Sequence, residues 1–139
     1  MRRTAVNVST GTTYRALQGR LNQKLIEYGN CAIELWSEPL PNSWTPHKEV
    51  PYRFKALAMR SVEADLILWL DSAILPLRSL DPVWETIERQ GYFLPANPGM
   101  WNYEWTAASA YPGLFPGVSL VEAMAINRTI PHCSSAAFG

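Results

Sequence analysis

Two rhythms of apolar and polar positions run along this chain. Thr4 to Val8 is short and mostly apolar, which predicts a first strand. Ser9-Thr10-Gly11-Thr12-Thr13 is turn-like and holds several helix-capping residues. Tyr14, Leu17, Leu21, Leu25 and Tyr28 then recur at steps of three and four, predicting one face of an amphipathic helix that stops at Gly29-Asn30. Cys31 to Trp36 predicts a second strand. Strand, helix and strand in this order make a parallel crossover unit.

Glu38 to Pro51 carries four prolines and reads as a loop. Pro51 suits the first turn of a second helix running to about Glu63, with Phe54, Leu57, Ala58 and Val62 buried. Asp65 to Leu70 is the most apolar strand in the chain, which predicts a central place in a sheet. Asp81-Pro82 predicts a third helix, with Asp81 as cap, Pro82 at the first position, and Val83, Trp84 and Ile87 buried. Gly91 ends it, and Tyr92-Phe93-Leu94 reads as a short strand. Pro95 to Gly117 is rich in Pro, Gly, Asn and aromatic residues and is too long for an ordinary connection. Ser119 and Glu122 have capping-box spacing and predict a helix to about Ile126. Cys133 to Phe138 reads as a last strand. The alternation predicts a single α/β domain over residues 1–139, with a doubly wound, mostly parallel sheet. A last strand without a following helix to cover it suggests a domain continued elsewhere or completed by a partner.

Composition narrows the functions open to such a fold. Hydrophobic residues are 47% and charged residues 17%, a globular balance. Twelve basic side chains face twelve acidic ones, so no general attraction to nucleic acid or anionic membrane is expected. No apolar run reaches membrane-spanning length, and no export signal follows Arg2-Arg3. Cys31 and Cys133 are far apart and read as buried free thiols, which points to a reducing, cytoplasmic setting. Glycine-rich dinucleotide and P-loop motifs, a nucleophile elbow and zinc-type Cys/His spacing are all absent.

Candidate chemistry sits at strand ends. Asp71 closes the most apolar strand, where open α/β sheets bind ligands. Such a carboxylate either caps the following turn or holds a divalent cation, Mn²⁺ or Mg²⁺, that in turn holds phosphates. Ser72 and Ala73 are small enough to let a ligand near the backbone. Enzymes acting on sugar nucleotides commonly carry a second carboxylate two residues on, and that position is Ala73. Lys55 reads either as a solvated helix charge or as a point charge for phosphate. In Asn97 to Trp105, Met100, Trp101, Tyr103 and Trp105 lie beside Asn102 and Glu104, a mixture suited equally to sugar rings or to closing a core edge. Glu104 is placed either as a general base on an acceptor hydroxyl or as a surface residue. His132 reads as structural.

Several of these segments in this order resemble a bacterial and phage group of nucleotide-diphospho-sugar transferases with the GT-A fold. They are Asn7-Val8-Ser9, Pro51-Tyr52-Arg53-Phe54-Lys55, Leu68-Trp69-Leu70-Asp71-Ser72, Pro82-Val83-Trp84-Glu85, Asn102-Tyr103-Glu104-Trp105 and Ile130 to Gly139. The resemblance covers essentially the whole chain, and family members continue beyond the Ala-Phe-Gly segment. It implies transfer of a sugar from a nucleoside diphosphate donor to an acceptor hydroxyl, for instance on a glycan. It also implies that Asn7, Val8, Ser9 and Tyr14 hold the nucleotide. Asp71, with Ser72, would fall at the metal and diphosphate, and Lys55 at a basic contact. The alternatives are a non-catalytic binding module on the same sheet and an assembly module that associates through its aromatic loop.

Overall fold

The structure, a computed structural model, describes residues 1–44, 49, 52–133 and 136–139. Its first half runs β1 (Arg3–Ser9), α1 (Gly11–Tyr28), β2 (Ala32–Ser37), α2 (Arg53–Arg60), β3 (Leu66–Leu70) and α3 (Asp81–Gln90). There follow β4 (Ala96–Trp101), α4 (Asn102–Trp105), a 3₁₀ turn over Ala108–Ala110, α5 (Tyr111–Leu114), α6 (Leu120–Asn127), β5 (Pro131–Cys133) and β6 (Ala137–Phe138). The chain forms two compact units, one of residues 1–93 with 136–139 and one of residues 94–135.

The first unit is α/β. Its four-stranded sheet has the order β2-β1-β3-β6. β1 lies parallel to both β2 and β3, while β6 runs antiparallel to β3. β3 is thus an interior strand, as its apolar sequence predicts.

Successive side chains of β1 and β3 point to opposite faces, and each face has its own core. Ala5, Leu66, Leu68 and Leu70 pack with Leu21 and Leu25 of α1 and with Trp84 and Ile87 of α3. Val6, Val8 and Trp69 pack with Phe54 and Ala58 of α2 on the other face. Burying each large side chain contributes roughly 1.5–3 kcal/mol. The buried Trp84 also satisfies its indole N–H on Gly29 O at 2.8 Å, tying α3 to the end of α1.

Element ends follow local chemistry. Asn30 takes φ +47° directly after α1, a left-handed conformation that asparagine tolerates. Gly91 takes φ +80° after α3. α3 begins at Asp81 itself, with Leu80 in the cap position. The Asp81 carboxylate turns instead to Arg3, Asn30 and Ser79. The buried face of α1 includes Gln18, whereas Tyr14 is exposed. α2 ends at Arg60, short of Glu63, and the Pro51 start lies outside the described residues.

Tyr92-Phe93-Leu94 does not form a strand. Phe93 alone exchanges two backbone bonds with Gly139, at 2.7 and 2.9 Å. Gly139 approaches the sheet so closely that a Cβ there would lie 2.7 Å from Ile67 O, which only glycine permits.

The second unit spans the Pro95–Gly117 stretch, too long for an ordinary connection, together with the predicted Ser119–Ile126 helix. β4 pairs antiparallel with β5, Ala96 opposite Cys133 and Trp101 opposite Pro131. The predicted last strand is two short ones, with Ser134 and Ser135 outside the described residues. Ser119 caps α6 by accepting from Glu122 N at 3.3 Å. Inside, the amide of Asn127 donates to Thr106 Oγ1 and Tyr111 Oη. Both cysteines are free and half-buried, and burial pushes the Cys31 thiol above its ordinary pKa. No helix among the described residues is long and apolar enough to cross a membrane.

Candidate functional site

β1 sends its chain through α1 to β2 on one side, while β3 lies on β1's other side. Strand order therefore reverses between β1 and β3, and open sheets form a ligand crevice beyond the carboxyl ends at such a point. A cavity of about 240 Å³ lies there. Val8 and Thr10 line it from the end of β1, and Asp71, Ser72 and Ala73 from the end of β3. Tyr14 of α1 and Tyr52, Phe54 and Lys55 at the start of α2 complete its described walls.

Lys55 and Asp71 meet in this cavity. Lys55 Nζ lies 2.8 Å from Asp71 Oδ1, with the lysine side chain 11% and the aspartate 35% exposed. The same oxygen accepts from Trp69 Nε1 at 2.6 Å. The ammonium also lies 5.3 Å from the Trp69 ring centre and 5.5 Å from that of Tyr52, both within cation–π range. With the cation sheltered and the carboxylate more open, the pair falls between two limits. These are about 1 kcal/mol for a surface pair and about 3–5 kcal/mol for breaking a buried one.

Tyr52 holds φ +66°, uncommon for a bulky side chain. Its carbonyl accepts from Lys55 N at 3.0 Å, so this left-handed residue starts α2 one turn from the ion pair. Strained backbone of this kind clusters where a structure positions functional groups.

A buried polar network supports the cavity floor. Asn7 is 0% exposed, and its Nδ2 donates to Leu70 O at 2.7 Å. Asn7 Oδ1 accepts from Gln18 Nε2 and from Ser72 Oγ, at 2.8 and 3.1 Å. Ser9 Oγ donates to Gln18 Oε1 at 3.2 Å, and Gln18 Nε2 also reaches Trp36 O. The side chains of Asn7 and Ser9 are thus taken up by the network, and Ser72 joins it while also lining the cavity with Val8, Tyr14, Lys55 and Asp71. The N-terminus of α1 opens on the same sheet edge, where Gly11, at φ +81°, donates its N–H to Glu38 Oε2 at 3.0 Å.

A divalent cation finds a sparse donor set here. Among the described residues, Asp71 is the one carboxylate lining the cavity, and its Oδ1 already holds Lys55 and Trp69. No group of three His, Cys, Asp or Glu that could hold a metal ion occurs among the described residues. A hard cation takes six or more oxygens, so one held by Asp71 would draw most of them from water and phosphates.

Glu104 belongs to the second unit, where its Oε2 accepts from Trp101 N at 2.9 Å at the start of α4. Beside it Trp105, 63% exposed, packs its ring 5.2 Å from His132. His132 Nδ1 lies 2.8 Å from Asn97 Nδ2. With the amide donating, the ring proton stands on Nε2. Arg128 covers the Tyr103 ring at 5.3 Å. His47 lies outside the described residues.

Sequence reasoning missed Trp69, Tyr52, Phe54 and Thr10. The signal for Trp69 was present, because residues two apart on an extended segment share a face, and Trp69 is two before Asp71. Comparison with protein-family models, with curated proteins and with solved structures returns no match.

Proposed function

We propose that this chain is a nucleotide-sugar-binding, glycosyltransferase-like domain of the doubly wound GT-A type. One observation carries it: the Lys55–Asp71 pair faces an aromatic-walled cavity at the strand-order reversal of the sheet. Tyr14 and Tyr52 offer ring faces to a base or sugar, Asp71 offers an acceptor to hydroxyls, and Lys55 offers positive charge to a diphosphate. The resemblance of the strand-end and helix-start segments to nucleotide-diphospho-sugar transferases points the same way.

Transfer to an acceptor would break the bond between the anomeric carbon and the diphosphate oxygen, the electron pair leaving on that oxygen. A bond to the acceptor oxygen forms, and the acceptor proton passes to a base. Lys55 beside the departing diphosphate stabilises the charge that develops there.

The first test is calorimetric titration of the chain with UDP, GDP, CDP and dTDP, followed by release of free sugar from the matching sugar nucleotide. Binding of one nucleotide is expected. A folded chain that binds none of them would turn attention to the aromatic surface of the second unit. Trp101 and Trp105 there are 42% and 63% exposed, which favours self-association as the second reading. Sedimentation of the chain with and without Trp101→Ala and Trp105→Ala tests it.

A further inference from the structure

We infer that the diphosphate of the bound nucleotide is neutralised by the side chain of Lys55 in place of a divalent cation, with Asp71 holding that ammonium in position. This rests on the nucleotide-binding reading of the same cavity.

Three observations carry it. The ammonium stands where a strand-end carboxylate would present a cation, 2.8 Å from Asp71 Oδ1. A second cation on this carboxylate would sit beside the first and be repelled by it. The position two residues on, which would supply a second carboxylate, is Ala73, and it lines the cavity with a methyl group.

Lys55 also has partners that orient its ammonium. Its side chain is largely sheltered, and its ammonium is fixed against two aromatic rings. Trp69 Nε1 donates to the same Asp71 oxygen that holds the ammonium. An ammonium so placed presents charge to phosphate without the rotamer entropy a surface lysine would lose. The other anion position on this sheet edge, at the start of α1, is already taken by Glu38. Asp71 and Lys55 cancel in charge, so a diphosphate must draw the ammonium partly away from its carboxylate. Removing the negative partner therefore strengthens phosphate binding, the reverse of what a metal-holding aspartate predicts.

The experiment is calorimetry on the full chain with inorganic pyrophosphate in EDTA, and with the four nucleoside diphosphates in EDTA and in Mn²⁺. The nucleotide Kd is expected to agree between EDTA and Mn²⁺ within about threefold. Lys55→Met should weaken pyrophosphate about tenfold or more, the loss of one charge-assisted contact, and Lys55→Arg should recover most of it. Asp71→Asn should tighten pyrophosphate in EDTA. If Lys55→Met fails to fold by near-ultraviolet circular dichroism, the direction of the Asp71→Asn change decides alone. Nucleotide binding that needs Mn²⁺ and disappears in Asp71→Asn would overturn the lysine proposal and leave the nucleotide site standing. Absence of binding to pyrophosphate and to every nucleotide would overturn both.

Discussion

Gln18 Nε2 donates to Asn7 Oδ1 at 2.8 Å, out of solvent, joining α1 to the sheet below the cavity. Because Asn7 also donates to Leu70 O, one carboxamide ties together β1, α1 and the end of β3. Those are the elements that place Thr10, Tyr14 and Asp71 around the cavity. The network is a positioning device as well as a source of stability.

Asn7→Ala removes three buried hydrogen bonds and leaves Gln18 and Ser72 with fewer partners. It should lower the unfolding free energy by about 2–4 kcal/mol, read by urea denaturation. A loss below about 1 kcal/mol would show that water or repacking replaces the carboxamide.

Thr4 supplies a contrast on the same strand. Its side chain is fully buried, and among the described residues its Oγ1 finds no hydrogen-bond partner. Thr4→Val keeps the shape and removes the unsatisfied hydroxyl. It should raise stability by about 1 kcal/mol in the same urea assay. A loss of stability would mean that the hydroxyl is paired in solution.

Asp81 gives the fold a response to acid. Its carboxyl is held below the ordinary aspartate range, first by the Asn30 amide, then by Ser79 and Arg3. A lowered folded-state pKa adds stability above the unfolded pKa, and that stability is lost as pH falls through the folded value. Wild type and Asp81→Asn should therefore differ most in thermal midpoint above the ordinary aspartate pKa of about 3.9 and converge as pH falls below it. A constant difference across that range would remove ionisation of Asp81 as the cause.

Much of the first unit was legible because its signals are periodic. Leu21 and Leu25 on α1, and the apolar run of β3, carry their burial in their spacing. Gln18 was not, since a polar residue on an apolar face gains its place only from partners on β1 and β2. The Pro95–Gly117 stretch failed for a related reason. Its elements are three to six residues long and rich in Pro and Gly, too short to show a period. Asp71 could be placed from its strand end alone, and Lys55 could be singled out from its helix. Their meeting could not be read, because it depends on α2 packing over Trp69 on one face of the sheet.

Tyr14 separates base recognition from phosphate recognition. It lines the cavity from the first turns of α1 and is 53% exposed, so it is not a core residue. Tyr14→Ala should change stability by no more than about 0.5 kcal/mol. If its ring stacks on the base, that contact is worth about 1–3 kcal/mol, and the Kd for the preferred nucleoside diphosphate rises about 5- to 150-fold. Pyrophosphate, which has no base, should bind Tyr14→Ala as it binds wild type. The two titrations together locate the ligand in the cavity. Loss of the nucleotide alone puts the base against α1, with the diphosphate toward Lys55. Equal loss of both ligands would show that Tyr14 shapes the phosphate end, and would reverse the orientation proposed for the nucleotide.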